Sequence, residues 1–153
     1  MNSSSSKPVI ILGAGGHAKV VAEALKKSGN KVIGFVASDK SPGTIFCGSE
    51  ILGNEEVLSK FSPENILLVN GVGGVPNQNR RWQLASRIRE QGYVFLTTIH
   101  PSSIIASEVE LAEGVQVMAG SVIQPGSRVG RDSIINTGVL IDHDCTISSN
   151  CHL

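Results

Sequence analysis

The chain is short of several things at once. Of its 153 residues only 4% are aromatic and three are cysteine, and thirteen basic residues are balanced by thirteen acidic ones. A formal charge of zero supplies no broad positive field, so non-specific nucleic-acid binding and attraction to an anionic membrane surface lose their driving force. Long apolar runs are missing too. Val9-Ile10-Ile11-Leu12 falls far short of the ~18–20 residues that span a bilayer, and it runs straight into glycines, as a signal peptide would not. No membrane insertion and a cytoplasmic location are therefore expected. Cys47, Cys145 and Cys151 form no CxxC pair and are odd in number, which excludes a disulfide framework and suits a reducing compartment. No aromatic or hydrophobic stripe marks a surface for self-association. What the chain has in quantity is glycine, 17 residues, in a length that bounds it to one or two small domains.

The chain reads as two unlike halves. Residues 1–6, Met-Asn-Ser-Ser-Ser-Ser, carry no periodicity and are set aside as a tail. From Lys7 the pattern is α/β: a buried strand over 9–12, a glycine turn, a helix over 17–28 stopped by Gly29-Asn30, and a second strand over 32–36. A short helical piece near 55–60, a strand over 66–69, a helix over 78–91 ending at Gly92 and a fourth strand over 93–96 complete this half.

Beyond Ile99 an aliphatic residue recurs at every sixth position: Ile99, Ile105, Leu111, Val117, Ile123, Val129, Ile135, Ile141, Ile147 and Leu153. Four residues after each comes a small or β-branched one, from Ser103 and Val109 to Cys145 and Cys151. A sustained period of six fits no helix and no ordinary antiparallel array. It fits a solenoid of short strands, each giving one inward aliphatic.

Gly13-x-Gly15-x-x-Ala18, between a strand and a helix, satisfies the dinucleotide fingerprint, in which backbone N–H groups approach a phosphate. An NAD(P)-binding oxidoreductase would use such a turn but leaves the repeat unexplained. Fewer than a hundred residues precede the repeat, which suits a single nucleotide better than two mononucleotide halves. His17, at the helix start, reads as a ligand contact held neutral by the helix dipole, or else as a capping or solvent-facing side chain. A second glycine cluster, Asn70-Gly71-Val72-Gly73-Gly74, would line the same crevice at the strand ends or simply form a tight turn.

In the repeat, Ile141-Asp142-His143-Asp144-Cys145 assigns the inward slots to Ile141 and Cys145 and turns His143 outward between two carboxylates. Histidine is the side chain that is neutral near pH 7 yet able to take a proton from an attacking amine or hydroxyl, and a neighbouring carboxylate orients it. The inward slot buries Cys145 and Cys151, which argues against either as a covalent nucleophile. His143, Cys145, Cys151 and His152 lack zinc-site spacing, so no metal is expected.

With these residues in hand, the chain from Lys7 onward resembles the bacterial sugar O- and N-acetyltransferases of the sialic-acid O-acetyltransferase and bacillosamine N-acetyltransferase type, which are hexapeptide-repeat acyltransferases. The resemblance implies a Rossmann-like nucleotide-sugar-binding α/β domain over 7–97 and a left-handed parallel β-helix over 98–153. It also implies acetyl-CoA as co-substrate and a homotrimer with sites between adjacent β-helices, acting in bacterial surface-glycan biosynthesis. It makes His143 the general base and Asp144 the residue that raises its basicity. Gly15, Gly16, His17 and Gly73 become substrate contacts, Asn136 an acceptor-positioning residue and His152 a contact to acetyl-CoA. Asp39 is the nearest match to the acidic residues that recognise the nucleoside, though it falls one or two positions late. Such proteins continue for several more coils beyond the point matching Leu153. The β-helix is therefore expected to be truncated, and a non-catalytic nucleotide-sugar-binding and trimerisation module is the alternative reading.

Overall fold

A computed structural model describes residues 7–74 and 79–153. The tail over 1–6 and the expected helix start at Gln78 lie outside the described residues. Strands β1 (Val9–Leu12) and β2 (Val32–Val36) flank helix α1 (Gly16–Lys27). A hairpin of β3 (Ile45–Phe46) and β4 (Ser49–Gly53), a 3₁₀ helix (Glu55–Lys60), β5 (Leu67–Asn70) and helix α2 (Arg80–Glu90) follow. The sheet order is β3-β4-β2-β1-β5, parallel except for β3 at the edge.

The continuous apolar run of β1 has a simple cause: both faces of the sheet are covered. Val9 and Ile11 pack with Val21 and Leu25 of α1, while Ile10 and Leu12 pack with Ala85 and Ile88 of α2. The strand expected over 93–96 shrinks to one rung, a parallel bridge between Phe95 and Leu68. Tyr93 explains the early end of pairing, because its hydroxyl donates to the Leu58 and Phe61 carbonyls and ties the segment to the 3₁₀ helix. The β3–β4 hairpin was not foreseen. Its turn places Cys47 and Gly48 at φ 49° and 85°, a pattern usually announced by Asn-Gly, so cysteine disguised it.

Nine two-residue strands then wind the rest of the chain: β6 (Thr98–Ile99), β7 (Ile104–Ile105), β8 (Glu110–Leu111), β9 (Gln116–Val117), β10 (Val122–Ile123), β11 (Arg128–Val129), β12 (Ile134–Ile135), β13 (Leu140–Ile141) and β14 (Thr146–Ile147). They form three parallel three-stranded sheets, β6-β9-β12, β7-β10-β13 and β8-β11-β14, the faces of a triangular prism. Paired residues are 18 apart, as in Thr98 with Gln116 and Val122 with Leu140, so one coil is three hexads. Val115, Val117, Ile123, Val129, Ile135 and Ile141 fill the prism, and Cys145 packs against them half-buried.

The outward residues of the three faces differ in kind. On β6-β9-β12 they are Thr98, Gln116 and Ile134, all buried against the α/β half. On β8-β11-β14 they are Glu110, Arg128 and Thr146, with an exposed Arg128–Glu110 ion pair. On β7-β10-β13 they are Ile104, Val122 and Leu140, aligned in register, with Ile104 and Leu140 64% and 76% exposed. The hydrophobic stripe that the sequence did not reveal is on this face. Among the described residues no helix is long and apolar enough to cross a membrane.

Candidate active site

The glycine turn after β1 and the glycine loop after β5 meet at the carboxyl ends of the central strands. Gly13 turns the chain at φ 92°, and its N–H donates to the Val36 carbonyl. Gly71 is pressed against β1 and α1: a Cβ there would lie 2.7 Å from Ile11 Cγ2 and 2.8 Å from the Leu12 carbonyl. Gly15 and Gly16 differ, since a Cβ on either would meet nothing within 4 Å. Their backbone lies open at the start of α1, where the helix dipole favours an anion.

Asn70, at the end of β5 and 2% exposed, is the hub that shapes the second loop. Its side chain accepts from the Val72 N–H and donates to the Arg81 carbonyl. Its own carbonyl accepts from Arg81 Nη1 at 2.8 Å and from Gln116 Nε2 at 2.7 Å. Arg81 also donates to the Val72 carbonyl, and burial lowers its pKa to about 10.

His17 stands beside this hub. Its Nε2 lies 2.6 Å from Gln116 Oε1, and its Cβ is 3.4 Å from where a Cβ on Gly73 would be. The ring is held neutral, with its pKa lowered to about 4 by burial first, with smaller contributions from Arg81 and His152. Burial, more than the helix dipole invoked from the sequence, keeps it uncharged. The His152 ring centroid is 6.3 Å from that of His17, and a Cβ on Gly74 would reach His152 Nδ1. Asn136 Nδ2 donates to His152 Nε2 at 3.3 Å. The folded chain thus gathers Gly15, Gly16, His17, Gly73, Asn136 and His152 along one seam between the sheet and the prism.

Three expected site residues, Asp39, His143 and Asp144, lie elsewhere. Asp39 is exposed in the turn after β2, beside an open groove of about 600 Å³ at the ends of β2 and β4. Ser38, Lys40, Asn54 and Lys60 line that groove, whereas Asp39 does not. His143 occupies the corner between the β7-β10-β13 and β8-β11-β14 faces, the vertex opposite the face covered by the α/β half.

At that corner His143 is exposed, and its Nδ1 donates to Asp144 Oδ2 at 2.8 Å. The Asp142 carboxylate accepts the His143 backbone N–H at 2.8 Å. The hydrogen bond to Asp144, then the charges of Asp142 and Asp144, raise the His143 pKa above its ordinary value. With Nδ1–H engaged, Nε2 is the free basic atom. Among the described residues no three histidine, cysteine or acidic side chains converge as a metal site.

Sequence reasoning missed Gln116 and Arg81. Gln116 sits in an outward slot of the repeat, where a polar residue normally meets water, and only the docked α/β half buries it to 1% exposure.

The model of the PglD N-terminal domain matches residues 8–88. The UDP-N-acetylbacillosamine N-acetyltransferase of Bacillus subtilis (strain 168) is 36% identical over 117 residues, 74% of this chain and 52% of that protein. The chain thus spans about half the length of that relative. PerB from Caulobacter crescentus, solved with CoA and GDP-perosamine, superposes with a TM-score of 0.84 at 36% identity, covering 95% of this chain and 67% of that one. The acetyltransferase domain of PglB from Neisseria gonorrhoeae FA1090, solved with acetyl coenzyme A, superposes with a TM-score of 0.86 at 30% identity, covering 97% and 70%. By the match over its first half, the chain belongs to the PglD N-terminal domain family.

Proposed function

We propose that this protein transfers an acetyl group from acetyl-CoA directly to a nucleotide-activated amino sugar or sialic-acid-type sugar, in bacterial surface-glycan biosynthesis in the cytoplasm. The observation that carries the reading is the His143–Asp144 pair, an exposed imidazole with Nδ1–H on a carboxylate and Nε2 free. In this reading residues 7–97 are a Rossmann-like nucleotide-sugar-binding domain and residues 98–153 belong to a left-handed β-helix. The relatives solved with CoA, GDP-perosamine or acetyl coenzyme A support the two substrate classes.

His143 Nε2 takes the proton as the acceptor amine or hydroxyl attacks the thioester carbonyl carbon. Asp144 holds the ring and stabilises the imidazolium that forms. The carbon–sulfur bond breaks, CoA leaves as the thiolate, and the proton on His143 is then available to it. Gly15, Gly16 and Gly73 offer backbone to the nucleotide sugar and His17 touches it. In this reading Asn136, which donates to His152, positions the acceptor, and His152 contacts acetyl-CoA. Asp39 is assigned to nucleoside recognition only through its turn, since Ser38 and Lys40 line the groove beside it.

His143 and the glycine crevice lie on opposite sides of one prism, so a site that uses both takes its His143 corner from a neighbouring copy. A homotrimer supplies that neighbour. The Ile104–Val122–Leu140 stripe borders the His143 corner and is apolar enough to seat it.

The test is thiol release from acetyl-CoA with a panel of UDP-amino sugars, GDP-perosamine and CMP-sialic acid. Release that needs an acceptor and falls by about 10²-fold or more in His143→Ala supports the enzyme. Equal release in the variant overturns the assignment of the base. Nucleotide-sugar binding with no acetyl-CoA affinity would favour a binding and assembly module instead.

A further inference from the structure

We propose that Gln116 is a positioning residue that fixes His17 in the tautomer protonated at Nε2, so that the ring meets a ligand only through Nδ1, as a hydrogen-bond acceptor. The inference rests on the reading of the glycine crevice as the nucleotide-sugar site and adds what kind of group His17 recognises there.

The Asn70 main-chain oxygen is an acceptor and nothing else, so the Gln116 group 2.7 Å from it is the amide nitrogen. The other end of the same amide, Oε1, therefore faces His17, and at 2.6 Å it accepts a hydrogen from Nε2. A neutral imidazole carries one N–H, which leaves Nδ1 with a lone pair. Neutrality is enforced first by burial of the ring in the seam, and then by Arg81 on α2 and His152 at the far end of the prism, which both disfavour an added positive charge. Gln116 is held in turn by the face it grows from, since the pairing of β9 with β6 and β12 pins its backbone. The β-helix thus sets the chemistry of a side chain in the other half of the molecule.

A lone pair at Nδ1 recognises a donor. A sugar amine or hydroxyl fits it, as does a ribose hydroxyl. A phosphate oxygen at neutral pH brings no proton and is repelled. His17 is accordingly an orienting acceptor, distinct from the base at His143.

The test reads the ring directly. Nitrogen-15 spectra of histidine-labelled protein, assigned with His17→Gln, report which ring nitrogen carries the proton. The expected result at pH 7 is a neutral His17 protonated at Nε2. A ring protonated at Nδ1, or charged, overturns the inference. Gln116→Leu should let the tautomers mix and weaken UDP-amino sugar binding about tenfold, the scale of one hydrogen bond. Gln116→Glu, which keeps an acceptor for Nε2 and adds charge, should raise the His17 titration midpoint by about one unit or more. Weaker binding of the UDP-amino sugar but not of UDP places the donor on the sugar, and equal weakening of both places it on the ribose. Unchanged tautomer and affinity in whichever variants fold overturns the proposal. Because the ring is read without turnover, a failed thiol-release assay counts against the enzyme reading alone.

Discussion

Arg89 and Asp132 face each other across the seam between the two halves, with Nη1 and Nη2 each 2.7 Å from a carboxylate oxygen. Arg89 Nε also donates to Glu113 at 2.8 Å, and the guanidinium lies 4.6 Å from the centre of the Phe95 ring. The Asp132 side chain is 5% exposed, so removing its partner strands a buried charge. Arg89→Met should therefore destabilise the protein by about 3 kcal/mol. Adding Asp132→Asn should restore more than half of that, because asparagine is neutral and tolerates the φ of 61° at this position. Denaturant unfolding of the single and double variants checks both; a single variant as stable as the wild type would show that the pair does not hold the seam.

The carboxylates beside His143 favour its charged form, and a base must be neutral to act. The acid limb of kcat/KM should accordingly lie above the ordinary histidine value, with activity rising as pH passes through it. Asp144→Asn should move that limb to lower pH, because the largest cause of the raised pKa is gone. The plateau should drop roughly tenfold, since the ring loses its orienting partner. A pH–rate series on both proteins decides it, and a limb that stays in place would dissociate the activity from this pair.

Gly15 and Gly71 should part company when each becomes alanine. At Gly71 the new methyl collides with Ile11, the Leu12 carbonyl and Ala18, and a cost of about 1–3 kcal/mol is expected. At Gly15 it meets nothing, so stability should change by less than about 0.5 kcal/mol. Nucleotide-sugar affinity should nonetheless fall, because the methyl occupies space where a phosphate would approach the backbone. Melting curves and calorimetric titration separate the two, and a Gly15→Ala protein that binds normally would move the phosphate site elsewhere.

Leu140 is 76% exposed in the apolar stripe, so Leu140→Asp should leave the fold of one chain intact. If the stripe seats a neighbouring copy, the variant should sediment as a monomer and lose most acceptor-dependent thiol release. A trimer that survives the substitution would place the contact on another face.

The periodic features were legible before the fold was. Every aliphatic of the hexads, from Ile99 to Ile147, returns at a strand of the prism, because a period of six leaves one inward slot per strand whatever surrounds it. The outward position of His143 followed from the same rule. Features made by the meeting of the halves were not legible. Gln116 and Ile134 are spaced as surface residues and become buried only under the α/β half. Arg81 reads as one more charge on a basic helix and is recognisable only from the three carbonyls it reaches, those of Asn70, Val72 and Asp132. The 93–96 segment reads as a strand in the sequence, yet the Tyr93 hydroxyl is spent on the 3₁₀ helix.

The 18-residue coil also limits how such a chain can change length. Inserting one whole coil between Gly120 and Asn136 would leave every later side chain on its present face and slide it along the prism axis by about 4.8 Å. Inserting a single hexad would instead rotate the remainder by a third of a turn, carrying His143 to a different vertex and the His152 ring off the seam it shares with His17. Functional variants should therefore differ in this region by multiples of eighteen or by loops bulging from a corner, and a lone six-residue difference should be silenced by geometry before any contact is lost.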